Sequence, residues 1–258
     1  MHEDGVSIWI VSHESGNNKF RSYLLAPNGL DPIPIISEIG PIISNSDIES
    51  DAIGMIDIAP NSKSLALQLQ NFGVWLFDFN ANSGSITNER AVYLTGNGFQ
   101  PRSVAFSSNS QNFYFITYDL NLEECKYYQI PLSQISMATN ANIFREDELR
   151  NTGMKLAPNG KIYIGRVNNF NYQVIENPNS LINELNVGYF NPLEGFRAGL
   201  FRVCFPNSIA SFSEGIDINY NLYNCVPNEQ TFTTTKVFYD SLIWQILLKK
   251  NEIFRVLM

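Results

Sequence analysis

A repeat of about 50 residues constrains the fold of this chain more than any other feature. Residues 55–67 read MIDIAPNSKSLAL, residues 103–116 read SVAFSSNSQNFYFI, and residues 153–164 read GMKLAPNGKIYI. Each segment is a short apolar strand, a turn of Pro, Asn, Ser or Gly, and a second apolar strand. The repeat length is 48 and then 50 residues, measured between Ile58, Phe106 and Leu156. Four-stranded propeller blades have about this period, so the repeat predicts an all-β protein built from such blades.

The turn inside each repeat agrees with a β-hairpin. Asn159-Gly160 is a strong hairpin signal because both residues tolerate positive φ, and Asn61-Ser62 and Asn109-Ser110 are weaker versions at the same place. The run from Val74 to Phe79 is almost continuously apolar. Such a strand is expected to be buried on both faces, as happens when blades stack face to face.

The repeat divides residues 1–212 into blades that span roughly 5–40, 52–94, 102–145 and 152–190, with part of a fifth near Leu200 to Phe205. The first blade begins at a strand near Val6, so we expect it to lack an inner strand and the ring to be incomplete. A complete small β-sandwich that only mimics the repeat is the alternative.

Composition and charge narrow the class of partner. The chain has 17 basic and 25 acidic residues and a formal net charge of −8, with no basic stripe. Nucleic acids and anionic membrane surfaces are therefore poor partners. The apolar runs are too short for a membrane span. The start, MHEDGVSIWIV, has no signal-peptide pattern, which leaves a cytoplasmic protein or a chain whose parent begins upstream.

Three cysteines, Cys125, Cys204 and Cys225, are widely spaced and form no metal-ligand pattern. A disulfide between Cys204 and Cys225 is conceivable in an exported protein. Three unpaired buried thiols are the favoured interpretation.

Several segments resemble the WD40-like propeller of type IX-secreted, gliding-motility-associated surface proteins of Bacteroidetes-type bacteria, in which PKD-type modules often follow. The resemblance covers residues 5–212 and includes IWIVSHESGNNKFRSYLLAPNGL, VWLFDFNANSGSITN and MKLAPNGKIYIG. A Leu-Pro-Asn-Phe sequence usually closes that propeller. Here the place reads Cys204-Phe205-Pro206-Asn207, so the match is partial.

Residues 219–258 are similar to the beginning of a PKD-type immunoglobulin-like module. Its usual Trp-x-Phe-Gly-Asp sequence is replaced by Trp244-Gln245 and then ILLKKNEIFRVLM. We therefore expect a truncated or frameshifted module from about residue 246. A C-terminal helix is the alternative, because Leu242, Ile246 and Ile253 fit one helical face.

Groups suited to neutral-pH acid–base chemistry are few, since His2 and His13 are the only histidines. Ser12-His13-Glu14 contains triad residue types, but adjacent strand residues point to opposite faces and cannot converge on one substrate. The acidic run Glu146, Asp147 and Glu148 is expected to be a solvated loop or helical turn. Phe170 and Tyr172 are candidates for glycan or peptide contact, although most propeller aromatics belong to the core.

One segment matches a calcium-loop template in part. Asp78, Asn80, Asn82 and Glu89 occupy positions 1, 3, 5 and 12, but Ser83 stands where the template needs glycine. A hairpin turn at Asn82-Ser83-Gly84 accounts for this sequence without a bound metal ion.

These observations predict no catalytic, cofactor or metal residues, no cofactor and no enzymatic activity. The resemblance implies a non-catalytic interaction or adhesion module, extracellular or at the cell surface, whose partner is a protein or a glycan. The alternative is a lactonase-like or dehydrogenase-like propeller enzyme acting on a small sugar-derived substrate. A polar cluster near the axis with a strongly perturbed carboxylate would favour that alternative.

Overall fold

The computed structural model describes residues 1–43, 54–95, 99–119, 121–135, 142–147, 151–166 and 172–190, and three short strands between residues 218 and 246. The described part of the chain is nearly all β-structure, arranged as successive antiparallel sheets. This confirms the prediction of an all-β fold made of propeller blades. Among the described residues, no helix is long and apolar enough to cross a membrane.

Four sheets follow one another along the chain. The first contains β1 Ile8–His13, β2 Lys19–Ala26, β3 Gly29–Leu30 and β4 Ile35–Glu38. The second contains β5 Gly54–Ile58, β6 Ser64–Leu69, β7 Gly73–Phe79 and β8 Ile86–Leu94. The third contains β9 Phe99–Phe106, β10 Asn112–Asp119, β11 Glu124–Pro131 and β12 Asn142–Asp147. The fourth contains β13 Asn151–Leu156, β14 Ile162–Arg166, β15 Tyr172–Ile175 and β16 Val187–Phe190.

Each sheet packs face to face on the next, and an apolar core fills each gap. Phe20 and Phe77 meet between the first and second sheets with their ring centroids 5.2 Å apart. Phe115 lies in the core between the second and third sheets, and Tyr127 in that between the third and fourth. No core of this kind joins the fourth sheet to the first within the part of the chain that the structure describes. The predicted burial of Val74 to Phe79 on both faces is confirmed, with Asp78 alone only partly buried.

The first sheet differs from the other three. Phe20 on β2 packs on β7, and the Ser37 hydroxyl on β4 accepts a hydrogen bond from the backbone N–H of Ile86 on β8 at 2.9 Å. Trp9 on β1 lies against the end of β7, with its ring centroid 6.5 Å from that of Phe79, and its indole N–H donates to the Ala81 carbonyl at 2.8 Å. The predicted absence of an inner strand in this sheet stays a prediction.

The sequence suggested positive φ at both central residues of the repeated turn, but the structure has positive φ only at the second of them. Ser62, Ser110 and Gly160 have φ values of 55°, 56° and 76°, whereas the asparagine before each does not have positive φ. Each asparagine instead accepts a hydrogen bond through its side-chain oxygen from the backbone N–H two residues later, for example Lys63 N–H to Asn61 Oδ1 at 3.0 Å. Asparagine therefore acts here as an Asx turn residue.

The acidic run after Arg145 corrects one prediction. Glu146 and Asp147 lie in strand β12 and not in a loop or helical turn. The ladder pairs Glu146 with Lys126 and Asp147 with Cys125 on β11. The acidic segment is therefore part of the outer strand of the third sheet.

The second predicted module is not confirmed as immunoglobulin-like. Short strands β17 Ile218–Asn219, β18 Gln230–Thr234 and β19 Trp244–Ile246 form a three-stranded sheet. Cys204, Cys225, Phe170, Glu148, the strand near Leu200 and the end from residue 247 lie outside the described residues. Cys125 is buried in the core between the third and fourth sheets, and the boundary between 1–212 and 219–258 stays a prediction.

A buried polar network fastens the 177–184 loop to the third sheet. The Tyr114 hydroxyl donates to the Pro178 carbonyl and accepts from Gln129 Nε2, both at 2.7 Å. Asn112 Nδ2 donates to the same carbonyl at 3.0 Å, and Gln129 also donates to the Ser180 carbonyl at 2.7 Å. Burial raises the pKa of Tyr114, so its hydroxyl stays protonated at neutral pH.

We expect Tyr114→Phe to lower the free energy of unfolding by only about 0.5–1.5 kcal/mol, the usual net value of one hydrogen bond. The loss is small because Gln129 and Pro178 each keep another partner. Urea unfolding measures it. The matched control is Tyr163→Phe, whose hydroxyl accepts from Asn159 at an exposed turn and should change stability by less than about 0.5 kcal/mol. A loss above about 3 kcal/mol would show that the loop depends on this hydroxyl alone.

Candidate functional site

The innermost strands of three successive sheets, β5, β9 and β13, lie side by side and meet at Ser103. The Ser103 hydroxyl accepts a hydrogen bond from Met154 N–H at 2.8 Å. It also lies 3.4 Å from both Met55 Sδ and the Met154 carbonyl oxygen, to one of which it donates. One buried side chain on β9 thus contacts both neighbouring inner strands.

A buried ion pair crosses this junction. Lys155 Nζ on β13 lies 2.6 Å from Asp57 Oδ1 on β5, and their side chains are only 12% and 9% exposed. The pair therefore joins the second sheet to the fourth, past the inner strand of the third. Both side chains are therefore largely removed from water.

The Asp57 carboxyl has an unusual electrostatic environment. Burial raises its pKa above the ordinary aspartate value, while the Lys155 cation and the backbone N–H groups of Phe106 and Ile58 act in the opposite direction. A carboxyl with a raised pKa exchanges a proton nearer to neutral pH than an ordinary aspartate does. Asp57, Ser103 and Lys155 together form what we call the inner-strand cluster.

The sequence analysis missed this cluster, although a signal was present. Asp57 and Lys155 each precede the anchor residue of their repeat, so they occupy the same repeat position with opposite charges. In the repeat between them, the same position is occupied by Ala105, which has a short, uncharged side chain. Two opposite charges in otherwise apolar inner strands are costly to bury unless they pair, so the repeat alignment already favoured their contact.

The structure does not bring Ser12, His13 and Glu14 together as a site. Ser12 is exposed, His13 Nδ1 lies 2.7 Å from the Glu14 backbone oxygen, and the Glu14 carboxylate bonds instead with Asn17 and Arg21. Burial lowers the pKa of His13. His2 lies elsewhere, with Nε2 3.1 Å from the Asn82 carbonyl oxygen.

The calcium-template residues also point to separate partners. Asp78 pairs with Arg90 at 2.6 Å, Asn80 Oδ1 accepts from the N–H groups of Asn82 and Ser83, and Glu89 accepts from Gly40 N–H. Asn80 thus closes a hairpin turn. Within the described residues, no group of three His, Cys, Asp or Glu side chains is placed to hold a metal ion. Tyr172, a candidate for glycan contact, is half-buried in β15.

No known protein family and no curated protein matches the chain in sequence. Among solved structures, a candidate 6-phosphogluconolactonase of Bacteroides uniformis shares 15% identity over 72% of this chain and 51% of its own, with a TM-score of 0.46. A second such candidate, from Bacteroides fragilis, shares 13% sequence identity over 92% of this chain and 68% of its own, with a TM-score of 0.45. An oligogalacturonate lyase of Vibrio parahaemolyticus shares 10% sequence identity over 70% of this chain and 53% of its own, with a TM-score of 0.41. The chain spans about half the length of the first of these.

The prediction that the chain is not an enzyme is contradicted, since the similar solved structures are mostly enzymes. That prediction relied on the scarcity of histidine. It overlooked the buried pair of Asp57 and Lys155, which supplies titratable groups other than histidine. Identities this low bear on the fold alone, so the activity of this chain must be argued from its own residues. Type IX secretion, gliding motility, the cell-surface location and a surface partner stay predictions from the resemblance.

Proposed function

We propose that the chain is an enzyme that acts on a small sugar-derived substrate, such as a sugar lactone, at the inner-strand cluster. The observation that supports this most is the Asp57–Lys155 pair, in which a buried carboxyl with a raised pKa lies 2.6 Å from a cation. A proton-exchanging group beside a fixed positive charge is the arrangement that acid–base chemistry on a carbonyl compound needs.

The cluster has the groups for lactone hydrolysis. The Asp57 carboxylate removes a proton from water as the water oxygen bonds to the lactone carbonyl carbon. The Lys155 ammonium stabilises the negative charge that develops on the carbonyl oxygen. The ring C–O bond then breaks, and the proton on Asp57 passes to the leaving ring oxygen. The product is the open-chain hydroxy acid, and Asp57 returns to its ionised form.

A substrate panel of sugar lactones tests the proposal, with spontaneous hydrolysis subtracted. We expect turnover by the wild-type chain and a loss of about 100-fold or more in Asp57→Asn, because a general acid–base group contributes about 10²–10⁴-fold. Glu38→Gln is the matched control. It removes a carboxylate from the exposed Lys19–Glu38 pair, far from the cluster, and should retain full activity.

The competing explanation is that the pair only ties two blades together. In that case the wild-type chain turns over none of the lactones, or Asp57→Asn is as active as the wild type once both are shown to be folded. Either result would reject the proposed function.

A further inference from the structure

Two asparagine–glycine pairs lie at hairpin turns in the described part of the chain, each with its asparagine exposed to solvent. Asn28-Gly29 lies between β2 and β3, and Asn159-Gly160 lies between β13 and β14. A third pair, Asn97-Gly98, falls outside the described residues. Because glycine has no Cβ, its backbone nitrogen is unshielded and can approach the side-chain carbonyl carbon of the asparagine before it. The two described pairs share this local chemistry, so any difference between them comes from their surroundings.

Hydrogen bonds hold the side chain of Asn159 in place. Its Oδ1 accepts from Lys161 N–H at 3.2 Å, and its Nδ2 donates to the Tyr163 hydroxyl at 2.9 Å. Both ends of the side-chain amide are thus bonded, and both bonds must break before the amide can rotate toward the backbone. At an exposed turn each such bond shifts an equilibrium by only about twofold, the weak end of the usual range.

The side chain of Asn28 has no such restraint. It is exposed, and it forms no hydrogen bond with any residue that the structure describes. Gly29 has a φ of 126°, and no atom lies within 4 Å of the place where a Cβ would be. The Asn28 amide is therefore free to rotate onto the Gly29 nitrogen, and water can reach it from the open side of the turn.

We propose that Asn28 is a site of spontaneous deamidation, with water as the co-reactant, and that Asn159 is protected by its hydrogen bonds. The Gly29 nitrogen attacks Cγ of Asn28, a new C–N bond forms, and ammonia leaves with the Gly29 amide proton. This gives a five-membered succinimide. Water then adds to one of the two imide carbonyls and breaks its bond to nitrogen, which leaves aspartate or isoaspartate at residue 28. Nothing is oxidised or reduced.

The isoaspartate product should disturb only one edge of the first sheet. It adds one carbon atom to the backbone of the loop between Ala26 and Gly29, which pair with each other, next to the pair of Leu25 and Leu30. This short ladder should open. β4 pairs with β2 separately, through residues 19–22, so the rest of the sheet should remain.

Peptide mapping by mass spectrometry tests the proposal on the folded full chain, incubated at pH 7 and at pH 9. We expect aspartate and isoaspartate at residue 28, forming faster at pH 9 because the attacking nitrogen must lose its proton. Conversion at residue 28 should be at least about fourfold faster than at residue 159, since two hydrogen bonds of about twofold each protect Asn159.

The same chain in urea is the control for sequence effects. Both asparagines precede glycine, so without the folded turns they should convert at similar rates. Tyr163→Phe is the matched variant: it removes one of the two bonds to Asn159 and should speed conversion at residue 159 by about twofold, with residue 28 unchanged.

Three results would overturn the inference. One is no conversion at residue 28 in the folded chain, and another is conversion at residue 159 that is as fast or faster. The third is an equally large difference between the two sites in urea, which would assign the difference to sequence and not to the folded turns. None of these measurements depends on lactone turnover, so the inference stands or fails apart from the proposed function.

Discussion

Lys155→Met is expected to lower the free energy of unfolding by about 3–5 kcal/mol at neutral pH, because it leaves the buried Asp57 carboxylate without its cation. Asp57→Asn should be destabilising for the reciprocal reason, since the Lys155 ammonium then loses its anion. The effect is large because the two side chains are almost fully buried. Urea unfolding followed by fluorescence measures both.

The double variant Asp57→Asn, Lys155→Met separates two effects on the free energy of unfolding. One is the contribution of the intact ion pair, and the other is the cost of leaving one buried charge without a partner. Replacing a buried ion pair as a whole is often nearly neutral. We therefore expect the double variant to recover most of the stability that Lys155→Met loses. The exposed pair Lys19–Glu38 is the control, and Glu38→Gln should change stability by no more than about 1 kcal/mol.

The stability of Lys155→Met should also depend on pH. Its folded state holds a proton on Asp57 more tightly than the unfolded chain does, because burial raises the pKa and the opposing cation is gone. The destabilisation is therefore small below the unfolded pKa of about 4 and grows as the pH rises through the folded pKa. Equal destabilisation at pH 4.5 and pH 7.5 would contradict the assignment of the effect to Asp57.

Phe115→Ala is the second variant with a large expected effect. Phe115 is fully buried on β10, and its ring stacks on Tyr128 with centroids 4.4 Å apart and planes 2° from parallel. It lies in the core between the second and third sheets. Truncation of a buried phenylalanine leaves a cavity and costs about 3–5 kcal/mol.

Urea unfolding measures this loss as well. Leu122→Ala, at a side chain that is 65% exposed, should change stability by less than about 0.5 kcal/mol. Because each sheet packs on its sequence neighbours, we expect amide exchange to increase most in the second and third sheets of Phe115→Ala. Uniform acceleration across all four sheets would argue against such local packing.

Much of the fold was predictable because blades obey local rules. The apolar run from Val74 to Phe79 predicted β7, Gly73–Phe79, to within one residue, since strand burial follows from the hydrophobic pattern. The turn was located correctly but for a partly wrong reason: asparagine contributes a side-chain acceptor, and the residue after it takes the positive φ. Strand β12 was missed because it pairs with β11, and local composition does not show that pairing.

The site was not predicted, because its residues become neighbours only when the blades stack. The repeat alone determined that this chain forms successive antiparallel sheets, because strand period, turn chemistry and apolar patterning act over a few residues. Stacking then brought Asp57 to Lys155, nearly 100 positions further along the chain, and removed both from water. Burial turned two ordinary charges into an ion pair with an altered proton affinity, and only the tertiary structure decided that.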